Sequence, residues 1–124
     1  MSPRGQTQTE VTWIGVRPAA EVEVVYQALD QALADGFSAG DGRTAALAEG
    51  AADAYRWALA RDARGPITGA RGNRPVPTLW TLTAEADAAA VLIDDPACPA
   101  DARDYALGVH DALAWLCGHS DQQP

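Results

Sequence analysis

The sequence predicts an all-α domain of four helices, built as two related helical hairpins with an irregular central loop and an extended N-terminal arm. Three observations carry that expectation. Alanine supplies 27 of the 124 residues, and it is the strongest helix former. Large apolar residues recur at spacings of three and four, which marks one buried face of a helix. One pattern also occurs twice, 58 positions apart: Gly50-x-x-Asp53-Ala54-x-x-Trp57 and Gly108-x-x-Asp111-Ala112-x-x-Trp115.

The elements follow in order. Residues 1–17 read as an arm, polar at first, in which Glu10 to Val16 alternates apolar residues as a short strand would. A lone strand has no partner in view, so the expectation is an arm that packs Trp13 onto the helices. Residues 18–124 form one helical domain: hairpin one over 18–64, a loop over 65–78, and hairpin two over 79–118. Helix one spans 18–36, opened by Pro18, striped by Val22, Val25, Tyr26, Leu29 and Leu33, and closed by Gly36. Helix two spans 43–64 and stops at Gly65-Pro66. The loop holds three glycines and three prolines, which no helix survives. Helix three spans 83–95, capped by Thr81 or Thr83, with Glu85 and Asp87 near the positive end of its dipole. Helix four spans 99–117, from Pro99 to the terminating Gly118. Because alanine buries little, Trp13, Trp57, Trp80 and Trp115 are expected to carry much of the packing.

Charge narrows the function classes. The net charge is −8, and every one of the nine basic residues is arginine. With the excess of Ala, Gly and Asp, that bias fits a high-GC genome. An acidic body argues against binding nucleic acid, which requires a basic face, and leaves room for a protein partner with a basic surface. No apolar run approaches the ~20 residues that span a bilayer, and the polar N-terminus lacks the apolar stretch of a signal peptide. A cytoplasmic setting is expected. Cys98 and Cys117 sit at opposite ends of the fourth helix, roughly 28 Å apart at 1.5 Å rise per residue, so both read as free thiols.

The repeat is the strongest signal. Leu47, Gly50, Ala54, Trp57 and Ala58 share one helical face, as do Tyr105, Gly108, Ala112, Trp115 and Leu116. Glycine in mid-helix costs about 1 kcal/mol against alanine, so its appearance twice points to close backbone approach. Helices two and four are therefore expected to pack about a pseudo-two-fold axis, small residues touching and tryptophans flanking the seam. Asp53 and Asp111 lie one turn before their tryptophans. They are either a converging carboxylate pair or acceptors of ordinary structural hydrogen bonds, and the second reading is preferred because two aspartates are too few for a metal centre in a bundle.

Other candidates are weaker. His110 falls opposite Trp115 on its helix and His119 lies beyond the terminating glycine, so no zinc-type ligand set forms. Cys98 precedes a helix N-terminus, where a thiolate is favoured, but no base is placed beside it. Arg61, Arg64, Arg71 and Arg74 fall within fourteen residues and could clamp a phosphate or carboxylate. Without an aromatic stacking residue in the loop, a solvated tether is preferred. No phosphate-binding loop, dinucleotide fingerprint or nucleophile elbow occurs, and no cofactor or metal is called for.

The stretch from Ala102 to Gly118 (ARDYALGVHDALAWLCG) resembles the closing helix of small uncharacterised Ala/Arg-rich helical proteins of high-GC actinobacteria. That resemblance implies a bacterial setting and no activity. The leading functional expectation is a non-enzymatic interaction or regulatory module that binds another protein, with a homodimer as one form of it. The first alternative is a small-ligand-binding protein or small enzyme that uses the Arg-rich loop with Asp53 and Asp111. The second is an acidic decoy of nucleic acid.

Overall fold

The computed structural model describes residues 12–36, 42–62, 64–69 and 76–119. Four helices, α1 (Ala19–Ala34), α2 (Gly42–Ala58), α3 (Leu79–Asp94) and α4 (Ala100–Leu116), follow a two-stranded hairpin, β1 (Trp13–Ile14) and β2 (Arg17–Pro18). The domain is all-α in its core, as the alanine content and periodicity require. Helices α2 and α4 make the closest pair, α3 lies on α4, and α1 lies on α2. That is the arrangement of two hairpins joined through their second helices.

The seam between α2 and α4 is reciprocal about the glycines. A Cβ on Gly50 would sit on the carbonyl oxygen of Tyr105 and 3.1 Å from Val109 N. A Cβ on Gly108 would sit on the carbonyl oxygen of Leu47 and 3.1 Å from Ala51 N. Tyr105 is Leu47 shifted by 58 positions, and Val109 is Ala51 so shifted. Helices α2 and α4 themselves are the same seventeen-residue span under that shift. Both tryptophans of the repeat are buried beside the seam, Trp57 and Trp115, with Tyr55 standing edge-on to Trp115 at 6.1 Å between ring centroids.

The repeat extends to the helix ends, where the expected boundary of helix two needs correction. It ends at Ala58 and not near Arg64. Ala60 N–H donates to Trp57 O at 3.0 Å and Arg61 N–H to Arg56 O at 2.8 Å, with Ala60 at φ +67°. This is the paired-bond cap in which a left-handed residue turns the chain and satisfies the last carbonyls. Helix α4 closes identically 58 residues later: Gly118 N–H donates to Trp115 O, His119 N–H to Ala114 O, and Gly118 has φ +83°. Alanine pays a steric penalty in this conformation that glycine does not, so Ala60 carried no punctuation signal.

Three further expectations are corrected. The N-terminal segment is a true hairpin, Trp13 pairing with Pro18 and Ile14 with Arg17. It buries Ile14, while Trp13 remains 56% exposed. Alternation across the strand sends these neighbours to opposite faces, and Ile14 takes the core position. Trp80 is exposed too, so two of the four tryptophans carry the packing. Helix α3 begins at Leu79, four residues early, because Thr78 is the cap: its Oγ1 accepts from Thr81 N–H at 3.2 Å.

The hairpin earns its place by closing α4. Val16 N–H donates to Leu116 O at 2.8 Å, and Arg17 Nε–H to Trp115 O at 2.9 Å. Both acceptors are end-of-helix carbonyls that have no partner within the helix. Arg17 also lies 4.7 Å above the Trp115 ring, placing a cation at the negative end of the helix dipole.

Candidate functional site

Asp53 and Asp111, the carboxylates of the repeat, have different surroundings. Asp53 Oδ2 accepts from the Tyr105 hydroxyl at 2.6 Å, and Asp53 Oδ1 from Arg56 Nη1 at 2.5 Å. Arg56 in turn donates through Nε to the Tyr26 hydroxyl at 3.3 Å. The result is a chain from α1 through α2 to α4. Burial, then the hydrogen bond to Asp53 and its charge, push the Tyr105 phenol well above its ordinary value. An Arg56 guanidinium held by Tyr26 and Asp53 is likewise raised. Arg56 was not singled out from the sequence, although its spacing of three from Asp53 is the helix-surface spacing for an ion pair.

Asp111 has no such phenol. Its Oδ1 is 3.7 Å from Nδ1 of His110, on a side chain that is half-exposed. Together with Leu29, Thr44, Leu47, Ala48, Ala51 and Gly108 it lines a cavity of about 250 Å³. Asp53 lines a different, more open groove with Leu33, Glu49, Ala52 and Arg56. The two aspartates thus line different cavities and have different partners.

Of the arginine cluster, Arg61 and Arg64 fall among the described residues. Arg61 forms a two-pronged ion pair with Glu23 of α1, and its guanidinium carbon lies 5.6 Å from the Tyr26 ring. That pairing, with a further hydrogen bond from Gln27, lowers the Glu23 carboxyl below its ordinary value. Arg61 thereby fastens α1 to the end of α2. The Arg64 side chain is exposed, and its backbone N–H donates to Asp62 Oδ1 at 3.2 Å. Arg71 and Arg74 lie outside the described residues.

Two polar groups are buried: Glu85, which the sequence places at the dipole of helix three, and Tyr55, on which the sequence carries no signal. Glu85, 3% exposed, accepts from Ile67 N–H at 2.5 Å, Thr68 N–H at 2.9 Å and Thr68 Oγ1 at 2.8 Å. It pins the start of the central loop and does not serve the dipole of α3. Gly65 lies against it, and a Cβ there, 2.8 Å from that carboxylate, would displace the Glu85 side chain. Tyr55 is fully buried, and its hydroxyl has no hydrogen-bond partner among the described residues. Burial, and then the charge of Asp111, push its phenol strongly upward.

Cys98 and Cys117 are unpaired thiols. Cys117 is buried, 3.6 Å from Thr83 Oγ1, and burial raises its thiol. Among the described residues, no three His, Cys, Asp or Glu side chains gather as a metal site, and no helix is long and apolar enough to cross a membrane. No family model, curated protein or solved structure matches the chain.

Proposed function

We propose that this chain is a non-enzymatic interaction module that binds another protein through the end of the molecule formed by the hairpin and the first turn of α3. The observation that carries this reading is Trp80, an indole left 82% exposed beside Leu79 at 47%. The same end presents Trp13 and Val16, both exposed. The hairpin approaches α3 where Gly15 lies against Leu82. Folding alone offers no reason to place two tryptophans in water, and indoles are prominent among residues that dominate binding energy at interfaces. An apolar end on a body of net charge −8 suits a partner with an apolar pocket set in a basic rim.

The test is affinity capture with the wild-type chain and with Trp80→Ala, after circular dichroism shows both folded. A stoichiometric partner retained by the wild type and lost by Trp80→Ala supports the reading. A partner captured equally by both removes this surface from it.

A further inference from the structure

The pseudo-two-fold axis makes the environment of Asp53 a template for that of Asp111. On one side of the seam, Tyr105 of α4 reaches across to α2, and its hydroxyl donates to Asp53 at 2.6 Å. The position matching Tyr105 on the other side is Leu47, which has neither the ring nor the hydroxyl. The cavity lies at that place. Its lining residues Leu47, Ala48 and Ala51 match Tyr105, Ala106 and Val109, and its Gly108 and Asp111 match Gly50 and Asp53. One half of the repeat thus fills its slot with a phenol of its own chain, and the other half leaves the slot open with the carboxylate still in place.

We propose that the cavity beside Asp111 binds a small phenol, the ring lying against the apolar lining of Leu29, Leu47, Ala48 and Ala51 and the hydroxyl donating to the Asp111 carboxylate. The size is suitable: a cavity of about 150 Å³ holds benzene, and this one has about 250 Å³. Mostly apolar walls with a few polar groups that fix orientation, here Asp111 and Thr44, are the usual make-up of a small-molecule site. The inference is independent of the Trp80 surface, which no residue of this cavity contributes to.

The probe is 4-methylphenol, the free counterpart of a tyrosine side chain, with toluene as the ligand that lacks the hydroxyl. Each is titrated into the ¹⁵N-labelled full-length chain, following backbone amide shifts. For 4-methylphenol, saturable shifts centred on Ala48, Ala51, Gly108 and Asp111 are expected, with Kd of about 1 mM for so small a ligand. Toluene should bind about tenfold more weakly, since a hydrogen bond to a charged acceptor is lost. Leu47→Tyr should abolish binding by filling the slot from within, as Tyr105 does opposite. Asp111→Ala should erase the preference for the phenol over toluene. Absence of saturable shifts, equal affinity of the two ligands for the wild type, or shifts centred elsewhere would overturn the proposal. The wild-type comparison and Asp111→Ala decide it even if Leu47→Tyr does not fold.

Discussion

Hairpin one and hairpin two carry the same repeat, yet they complete it with different chemistry. At the centre they agree: each glycine lets the carbonyl of the other helix approach to where a Cβ would stand. One turn further on they part. Asp53 is bonded by Tyr105 and Arg56 at the edge of an open groove, whereas Asp111 borders a cavity and has no phenol bonded to it. At their C-termini the cap is the same, but Ala60 holds it in one and Gly118 in the other. The ends are also covered differently, that of α2 by the Glu23–Arg61 ion pair and that of α4 by the β-hairpin. Backbone contact at a helix seam tolerates only glycine, so it is held fixed, while side chains around the seam are free to diverge.

The largest effect should come from breaking what the two halves share. Gly50→Ala and Gly108→Ala each drive a methyl into a facing backbone carbonyl, and overpacking of this kind costs about 1–3 kcal/mol. On an open helix face the same change would stabilise by roughly 0.4–1 kcal/mol. Urea unfolding separates the cases by sign, and a gain in stability for both variants would end the pseudosymmetric seam.

The two tyrosines should respond oppositely to loss of their hydroxyls. Tyr105→Phe removes a hydrogen bond to a carboxylate that keeps Arg56 as a partner, and a loss of about 1.5 kcal/mol is expected. Tyr55→Phe removes a buried hydroxyl without a partner among the described residues, at a position whose repeat mate is the apolar Leu113. A gain of about 1 kcal/mol is expected there. Thermal denaturation of the pair checks both, and a loss at Tyr55→Phe would mean that its hydroxyl is satisfied.

Exchanging the caps should give a similar contrast of smaller size. Ala60→Gly relieves a left-handed alanine and should stabilise by about 1 kcal/mol. Gly118→Ala should destabilise by at least about 1 kcal/mol, because it adds the same strain and brings a Cβ within 3.1 Å of Val16. Chemical denaturation midpoints of the two variants moving in the same direction would contradict the equivalence of these caps.

The smallest effect concerns acid. Glu23 has a lowered pKa in the folded chain, owing first to its hydrogen bonds from Arg61 and then to Gln27. The unfolded state therefore holds the proton more tightly, and the pair's contribution is complete above the ordinary glutamate value and lost as pH falls through the folded one. The pair is solvent-exposed and so contributes little. Urea midpoints measured between pH 7 and pH 3 should fall slightly less for Glu23→Gln than for the wild type. A steeper fall in the variant would reverse the assigned sign.

The sequence by itself determined the helical class, the two-hairpin plan and the seam. Propensity, apolar spacing and a mid-helix glycine are properties of neighbouring residues, and a repeat at a fixed shift exposes the symmetry relating distant ones. It even held the true end of α2, since Gly118 moved back 58 places falls on Ala60, although alanine gave no sign of it. Tertiary structure alone decided which tryptophans are buried. A strand of two residues turns Ile14 inward and Trp13 out, and an early start to α3 leaves Trp80 in water. It also decided that Glu85 would hold the loop at Ile67 and Thr68, and that Tyr105 would reach Asp53 from 52 residues away. Those pairings depend on the angle and register at which packed helices meet. No local preference encodes that geometry, and it is what bonds one aspartate to a phenol of its own chain and leaves the other beside a cavity.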